Sequence, residues 1–245
     1  MNNQWYVTWF ESSWYRELYS HRTIDEAKTA VSLVQSMNLS KGARILDLCC
    51  GAGRHAAALA EQGFIVTGID YSEYLINVAQ KEYGDLPNLE LYRCDMRDNY
   101  PNKPFDAIVN FFTSFGYFDT DEENSSVIVN ISSSLIDNGY FLLDYLNAEY
   151  IRKNIVPYST DSFPTATIES RRTIQADTII KNISVIPFEG EREEFEENVK
   201  LYTHTTLKTM IEDNGFMVES IHGNYDGSDF DVELSPRCII VAKKL

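Results

Sequence analysis

Positive charge is scarce in this chain of 245 residues: 21 Lys and Arg stand against 37 Asp and Glu, a formal net charge of −16. Such a field repels a polyphosphate backbone, and no local basic patch offsets it. DNA, large RNA and anionic membrane surfaces are therefore disfavoured as partners. Cysteine is scarce too. Cys49, Cys50, Cys94 and Cys238 show no Cys-x-x-Cys spacing, and three of them sit in or at the ends of apolar strand-like runs. They read as reduced, buried thiols of a cytosolic protein. Neighbours on a strand point to opposite faces, so Cys49 and Cys50 are not expected to share a metal, and no metal site is expected. Long apolar runs are missing, and Met1, Asn2, Asn3 and Gln4 lack the basic and apolar regions of a signal peptide. A chain outside the membrane, in the cytoplasm, is the expectation. No internal repeat or low-complexity tract is visible.

Apolar content, at 44%, is ample for a full core, and one domain with elaborations is expected at this length. Residues 1–40 form an aromatic and helical cap in this reading. Trp5, Tyr6, Trp9, Phe10, Trp14, Tyr15 and Tyr19 crowd its first half. It is either a packed flap or a lid whose Tyr15 or Tyr19 faces a substrate. Thr23-Ile24-Asp25-Glu26 has the form of a capping box, and the helix it opens should run to about Asn38. Strands expected at 44–50, 65–70, 89–94, 105–111 and 140–146 alternate with helices at 54–62, 72–83 and 121–136. This βαβ repetition implies right-handed crossovers and a mostly parallel sheet with helices on both faces. The pattern changes after Asn147. Alternating runs at 166–174, 178–186 and 195–202 read as an antiparallel β insertion spanning 150–202, and the acidic run 189–197 reads as its solvated face. A helix at 205–213 and a hairpin of 216–221 with 238–242 close the chain.

Chemistry concentrates at the first strand. Ile45-Leu46-Asp47-Leu48-Cys49-Cys50 ends in Gly51-Ala52-Gly53 and opens onto an alanine-rich helix, which brings backbone N–H groups and a helix N-terminus to one point. The glycine spacing and Asp70 would suit NAD. Asp47 argues otherwise, because a carboxylate four residues before the first glycine is unwelcome beside a pyrophosphate and welcome beside an ammonium. Asp95-Met96, at the end of the third strand, offers an acid and a thioether between which an adenine with its exocyclic amine fits.

Leu46-Asp47-Leu48-Cys49-Cys50-Gly51-Ala52-Gly53, Gly68-Ile69-Asp70-Tyr71-Ser72 and Cys94-Asp95-Met96 together resemble the first three motifs of the class I S-adenosylmethionine-dependent methyltransferases. Gly51-Ala52-Gly53-Arg54-His55 and the 113–118 loop are similar to a subgroup of small bacterial members of unassigned substrate. The resemblance implies a Rossmann-like, doubly wound α/β sheet of seven strands in the order 3-2-1-4-5-7-6, strand 7 antiparallel, within a single methyltransferase domain over 1–245. It implies that Asp70 accepts from the ribose hydroxyls, that Tyr71 beside it belongs to the cofactor site, and that Gly51 and Gly53 admit the methionine moiety. Asp47 would hold the amino group, and Asp95 and Met96 would flank adenine. Arg54 and His55 would either meet the methionine carboxylate or cap and solvate their helix. Asn110 would border the methyl group, beside an aromatic loop containing Thr113 and Phe115. Tyr15, Tyr19, Thr113, Phe115, Arg172, Tyr225 and Arg237 are candidates for contact with the acceptor. The activity implied is methyl transfer to a small-molecule nitrogen or oxygen by in-line displacement. A nicotinamide-dependent oxidoreductase, or a protein of this fold that binds or methylates a protein, are the alternatives. The sequence leaves open monomer or dimer.

Overall fold

The computed structural model describes residues 4–245; Met1, Asn2 and Asn3, on which part of the reading of the N-terminus falls, lie outside the described residues. Seven strands form the main sheet: β1 (Arg44–Leu48), β2 (Ile65–Asp70), β3 (Leu89–Arg93), β4 (Phe105–Asn110), β5 (Leu135–Leu146), β10 (Phe216–His222) and β11 (Arg237–Lys244). Their order is β10-β11-β5-β4-β1-β2-β3, and only β11 runs antiparallel to both neighbours. Allowing for four inserted strands, this is the expected seven-strand order.

Alternate residues of the strands feed two cores. Leu46, Ile108, Leu143 and Ile240 join one cluster, while their neighbours Ile45, Ala107, Leu142 and Ile239 join the other. A parallel sheet covered on both faces has this continuous apolar signature. The helices α3 (Ile24–Val31) and α4 (Arg54–Glu61) pack on the second core. Opposite them, α6 (Asp121–Ser134) and α8 (His204–Glu212) pack on the first. The N-terminal helices α1 (Trp5–Trp9) and α2 (Ser13–Leu18) join that side, and α5 (Glu73–Tyr83) follows β2. Hydroxyl caps start five of these helices: Thr23, Ser72, Thr120 and Thr203 accept from the backbone N–H three residues on, and Ser12 from the one two residues on.

Several boundaries differ from expectation. α3 stops at Val31 and tightens into a 3-10 turn, Ser32–Met37, before left-handed Asn38 at φ 50°. β1 stops at Leu48 because Cys49 is left-handed, at φ 63°, so strand alternation does not apply to Cys49 and Cys50. β5 follows α6 without a turn. The insertion begins with a short helix, α7 (Ala148–Asn154), and contains four strands, β6 (Tyr158–Ser162), β7 (Ala166–Gln175), β8 (Thr178–Pro187) and β9 (Glu193–Lys200). α7 and β6 are additions to the sequence reading. Among the described residues, no helix is long and apolar enough to cross a membrane, and no group of three or more His, Cys, Asp and Glu is placed to hold a metal ion.

Candidate active site

A cavity of about 680 Å³ opens at the C-terminal ends of β1, β2 and β4, beneath α1 and α2. Gly51, Arg54, His55, Asp70, Tyr71, Asp95, Met96, Tyr15 and Tyr19 all line it. Residues from four stretches of sequence thus meet at the switch point of the sheet, where ligands of such folds bind.

The glycine turn shapes its floor. Gly51 has φ 54°, and a Cβ there would meet nothing within 4 Å, so the backbone faces open cavity. Gly53 has φ 82°, and a Cβ there would lie 2.9 Å from that of Ala79, so this glycine lets α4 approach α5. Asp70 holds the turn, accepting from Gly51 N and Ser72 N at 2.9 Å each. Burial pushes its carboxyl up, and these two bonds pull it back, to about 6. Each oxygen keeps a lone pair for a ligand hydroxyl.

Asp47 lies under the turn, 1% exposed, and its Oδ2 has no partner. Desolvation raises its carboxyl to about 8. Asn110 donates to Leu48 O at 3.0 Å and Ser114 O at 3.2 Å, while its Oδ1 is also unpartnered. His55 stacks on Phe111 at 4.6 Å and keeps an unpartnered Nε2; burial lowers it to about 3, so the ring is neutral. His55 is buried in α4 against Phe111 while its edge lines the cavity, a packed position that neither reading of its role included. Arg54 remains half-buried at the cavity wall, one N–H donating to Thr23 O at 3.4 Å.

At the far side, burial pushes Asp95 up, but Arg97 outweighs it and holds the carboxyl below its usual range. Arg97 Nε and Nη2 donate to the carboxylate at 3.0 and 2.6 Å. Arg97 was not singled out from sequence, although its i+2 spacing from Asp95 permits this clasp. Five of the acceptor candidates divide differently from Tyr15 and Tyr19. Phe115 is core, at 2% exposure. Arg172 is tied to Val156 O and Ser159 Oγ, away from the cavity lining. Thr113, Tyr225 and Arg237 form a network behind the lining, centred on buried Asp144. Tyr225 OH and Arg237 Nε each donate to Asp144 at 2.6 Å, and Arg237 Nη2 donates to Thr113 Oγ1 at 3.0 Å. Phe112 N also donates to Asp144, at 2.8 Å. The network therefore sets Phe112, a cavity residue at φ 59°, from behind.

The acidic run is not simply a solvated face. Glu197 Oε1 accepts from Trp9 Nε1 at 2.6 Å and from Tyr19 OH at 2.8 Å, and Lys181 Nζ lies 3.4 Å from Oε2. Glu193 accepts from Trp14 Nε1 at 2.8 Å. These two carboxylates clamp the N-terminal cap onto β9; pairing residues about 180 positions apart left no local signal.

Buried acceptors without partners beneath a glycine turn suit a ligand bearing cationic donors, and fit poorly with a pyrophosphate. The fold and this site define a nucleotide-binding α/β enzyme. Residues 45–139 match the methyltransferase domain family. The chain is 26% identical over 241 residues, 94% of it and 97% of the relative, to a protein of Geobacillus sp. (strain WCH70) that bears a provisional methyltransferase name. It is 29% identical over 119 residues to the dTDP-3-amino-3,4,6-trideoxy-alpha-D-glucopyranose N,N-dimethyltransferase of Streptomyces venezuelae, a match spanning 49% of this chain and 48% of that one. The structure of the CcbJ methyltransferase of Streptomyces caelestis shares the fold, with a TM-score of 0.81 at 17% identity over 97% of this chain and 98% of that one. Residues 45–139 thus carry a methyltransferase domain, and the chain is similar along its length to the class I S-adenosylmethionine-dependent methyltransferases, whose cofactor is S-adenosylmethionine.

Proposed function

We propose that the methyl acceptor is a small molecule and that the methylated atom is an amine nitrogen. The observation that carries this is the enclosure of the cavity, whose roof of Tyr15, Tyr19 and Tyr117 belongs to the cap and to the loop after β4. Its volume falls within the roughly 300–1,000 Å³ of small-ligand sites, and the likeness to an amino-sugar N,N-dimethyltransferase supports nitrogen.

When bound, S-adenosylmethionine supplies an electrophilic methyl carbon and its own leaving group. The chain's share is alignment and exclusion of water. In this reading Asp70 receives the ribose hydroxyls, Asp95 and Met96 flank adenine, and Asp47 takes the amino group. Asn110, whose Oδ1 is unpartnered at the end of β4, would border the methyl group. A neutral amine nitrogen held in line would take the methyl group as the sulfonium departs as a neutral thioether, the resulting ammonium losing its proton to solvent. Segments 1–40 and 150–202, clamped together by Glu197, are the parts that would select the acceptor within this one domain.

The test is transfer of tritiated methyl from labelled cofactor into a deproteinised metabolite extract. Label in a small basic product supports the reading. Label only in protein, in an oxygen-linked ester or ether, or nowhere overturns it.

A further inference from the structure

Three arginines line the cavity, and two of them have no carboxylate partner. Arg16 pairs with Glu82 at 2.8 Å. Arg22, between α2 and α3, and Arg54, in the first turn of α4, take part in no ion pair among the described residues, in a chain with 37 carboxylates. Both converge on Phe112: the guanidinium carbon of Arg22 lies 4.7 Å from that ring's centroid and that of Arg54 5.9 Å. Arg22 is also stacked 4.1 Å from the Tyr19 ring. A guanidinium held over rings, with none of its N–H groups given to a carboxylate, offers an edge that matches a carboxylate or phosphate in a bidentate pair.

Two neighbouring cations with no carboxylate at ion-pair distance repel each other, and Glu26 offsets this for Arg54 only in part. The desolvated Arg54 is lowered first by burial and then by Arg22. Bound S-adenosylmethionine brings one carboxylate. Arg54 is placed for it, because it stands where the N-terminal amides of α4 also favour an anion. Arg22 is then left over, on the side of the cavity roofed by Tyr19 and Phe112.

We propose that Arg22 binds an anionic group of the methyl acceptor, a carboxylate or a phosphate, so that the substrate is an anionic small molecule. This rests on the small-molecule methyltransferase reading. It also answers a difficulty of the whole chain: at net charge −16 an anionic acceptor is repelled at long range, and a dedicated cation inside the cavity offsets that locally.

The experiment titrates the S-adenosylhomocysteine-loaded protein by calorimetry, with inorganic pyrophosphate in one arm and acetate in the other. Saturable binding of at least one anion is expected, weakened about tenfold or more in Arg22→Gln and partly kept in Arg22→Lys, and the arm that binds identifies the group. S-Adenosylhomocysteine itself should bind Arg22→Gln within about twofold of the parent and bind Arg54→Gln more weakly. The proposal is overturned if neither anion binds, or if Arg22→Gln weakens S-adenosylhomocysteine as much as Arg54→Gln does, because both arginines would then serve the cofactor. Thermal melting of Arg22→Gln separates loss of the site from loss of the fold. If S-adenosylhomocysteine does not bind the parent protein, the methyltransferase reading fails, and the proposal falls with it.

Discussion

Burial treats the carboxylates of the site differently, according to what each is given in exchange. Asp47 receives little and is pushed to about 8, Asp70 receives two backbone N–H groups and settles near 6, and Asp95 receives Arg97 and is held below its usual range. For Asp47 the sign follows from linkage: an unfolded aspartate titrates near 4, so between about pH 4 and 8 the folded protein holds a proton that the unfolded chain has lost. Its contribution to stability is present below pH 4 and is lost as pH rises to about 8. Asp47→Asn is expected to flatten the fall in stability across that window, by on the order of a few kcal/mol in urea melts of the cofactor-free protein. The cofactor's ammonium favours the carboxylate, so binding near pH 7 should release a proton from the parent and not from Asp47→Asn. Calorimetry in buffers of different ionisation enthalpy reads this directly. Asp70→Ala removes the proposed acceptor of the ribose hydroxyls and should cost about 1.5–3 kcal/mol of cofactor affinity. An unchanged dissociation constant would reject that role.

Elements explain which glycines and which acidic residues matter for folding and which for ligand. Gly53 is caught between a left-handed φ and the Cβ of Ala79, whereas Gly51 faces open cavity. Gly53→Ala should therefore lower the melting temperature by about 5–10 °C, at roughly 2–4 °C per kcal/mol for a chain of this size. Gly51→Ala should cost only about 1–2 kcal/mol of stability while weakening the cofactor far more, as melting and titration together would show. The clamp between cap and insertion makes a similar point. Lys181 is 8% exposed and depends on Glu197. Glu197→Ala leaves that cation buried without its anion, held only by Tyr19 OH at 2.8 Å, frees Trp9 Nε1, and is expected to cost about 3 kcal/mol or more and to expose residues 5–21 to limited proteolysis. The sheet strands were legible because burial on both faces makes them unbroken apolar runs. β6 was not, because Tyr158-Ser159-Thr160-Asp161-Ser162 is a polar edge strand that only pairing with β7 turns into structure. α7 carried a signal that was passed over, since Asn147 caps it through Glu149 N at 3.2 Å.

At the scale of the whole molecule the charge of −16 should guide a cationic cofactor. S-Adenosylmethionine carries a net positive charge and its demethylated product none. Raising ionic strength from about 0.01 to about 1 M shortens the screening length from about 30 Å to about 3 Å. Stopped-flow association of S-adenosylmethionine should slow several-fold over that range, with S-adenosylhomocysteine nearly unaffected. By itself the sequence determined the alternation of strands and helices and the glycine turn, because these depend on periodicity and on residues within a few positions of one another; the order of the sheet and the cofactor class followed from the resemblance of its motifs to those of the methyltransferases. Of the residues those motifs supplied, Gly51, Asp70, Asp95 and Met96 line the cavity, and Asp47 is buried beneath the glycine turn. Only the tertiary structure decided that Arg22 and Arg54 face one ring without carboxylates and that Glu197 serves the cap. It also decided that Tyr225 and Arg237 stand behind Phe112 around Asp144. Those arrangements join residues tens to nearly two hundred positions apart, and the free energy of a pair with that separation is set by burial and geometry, which local pattern does not carry.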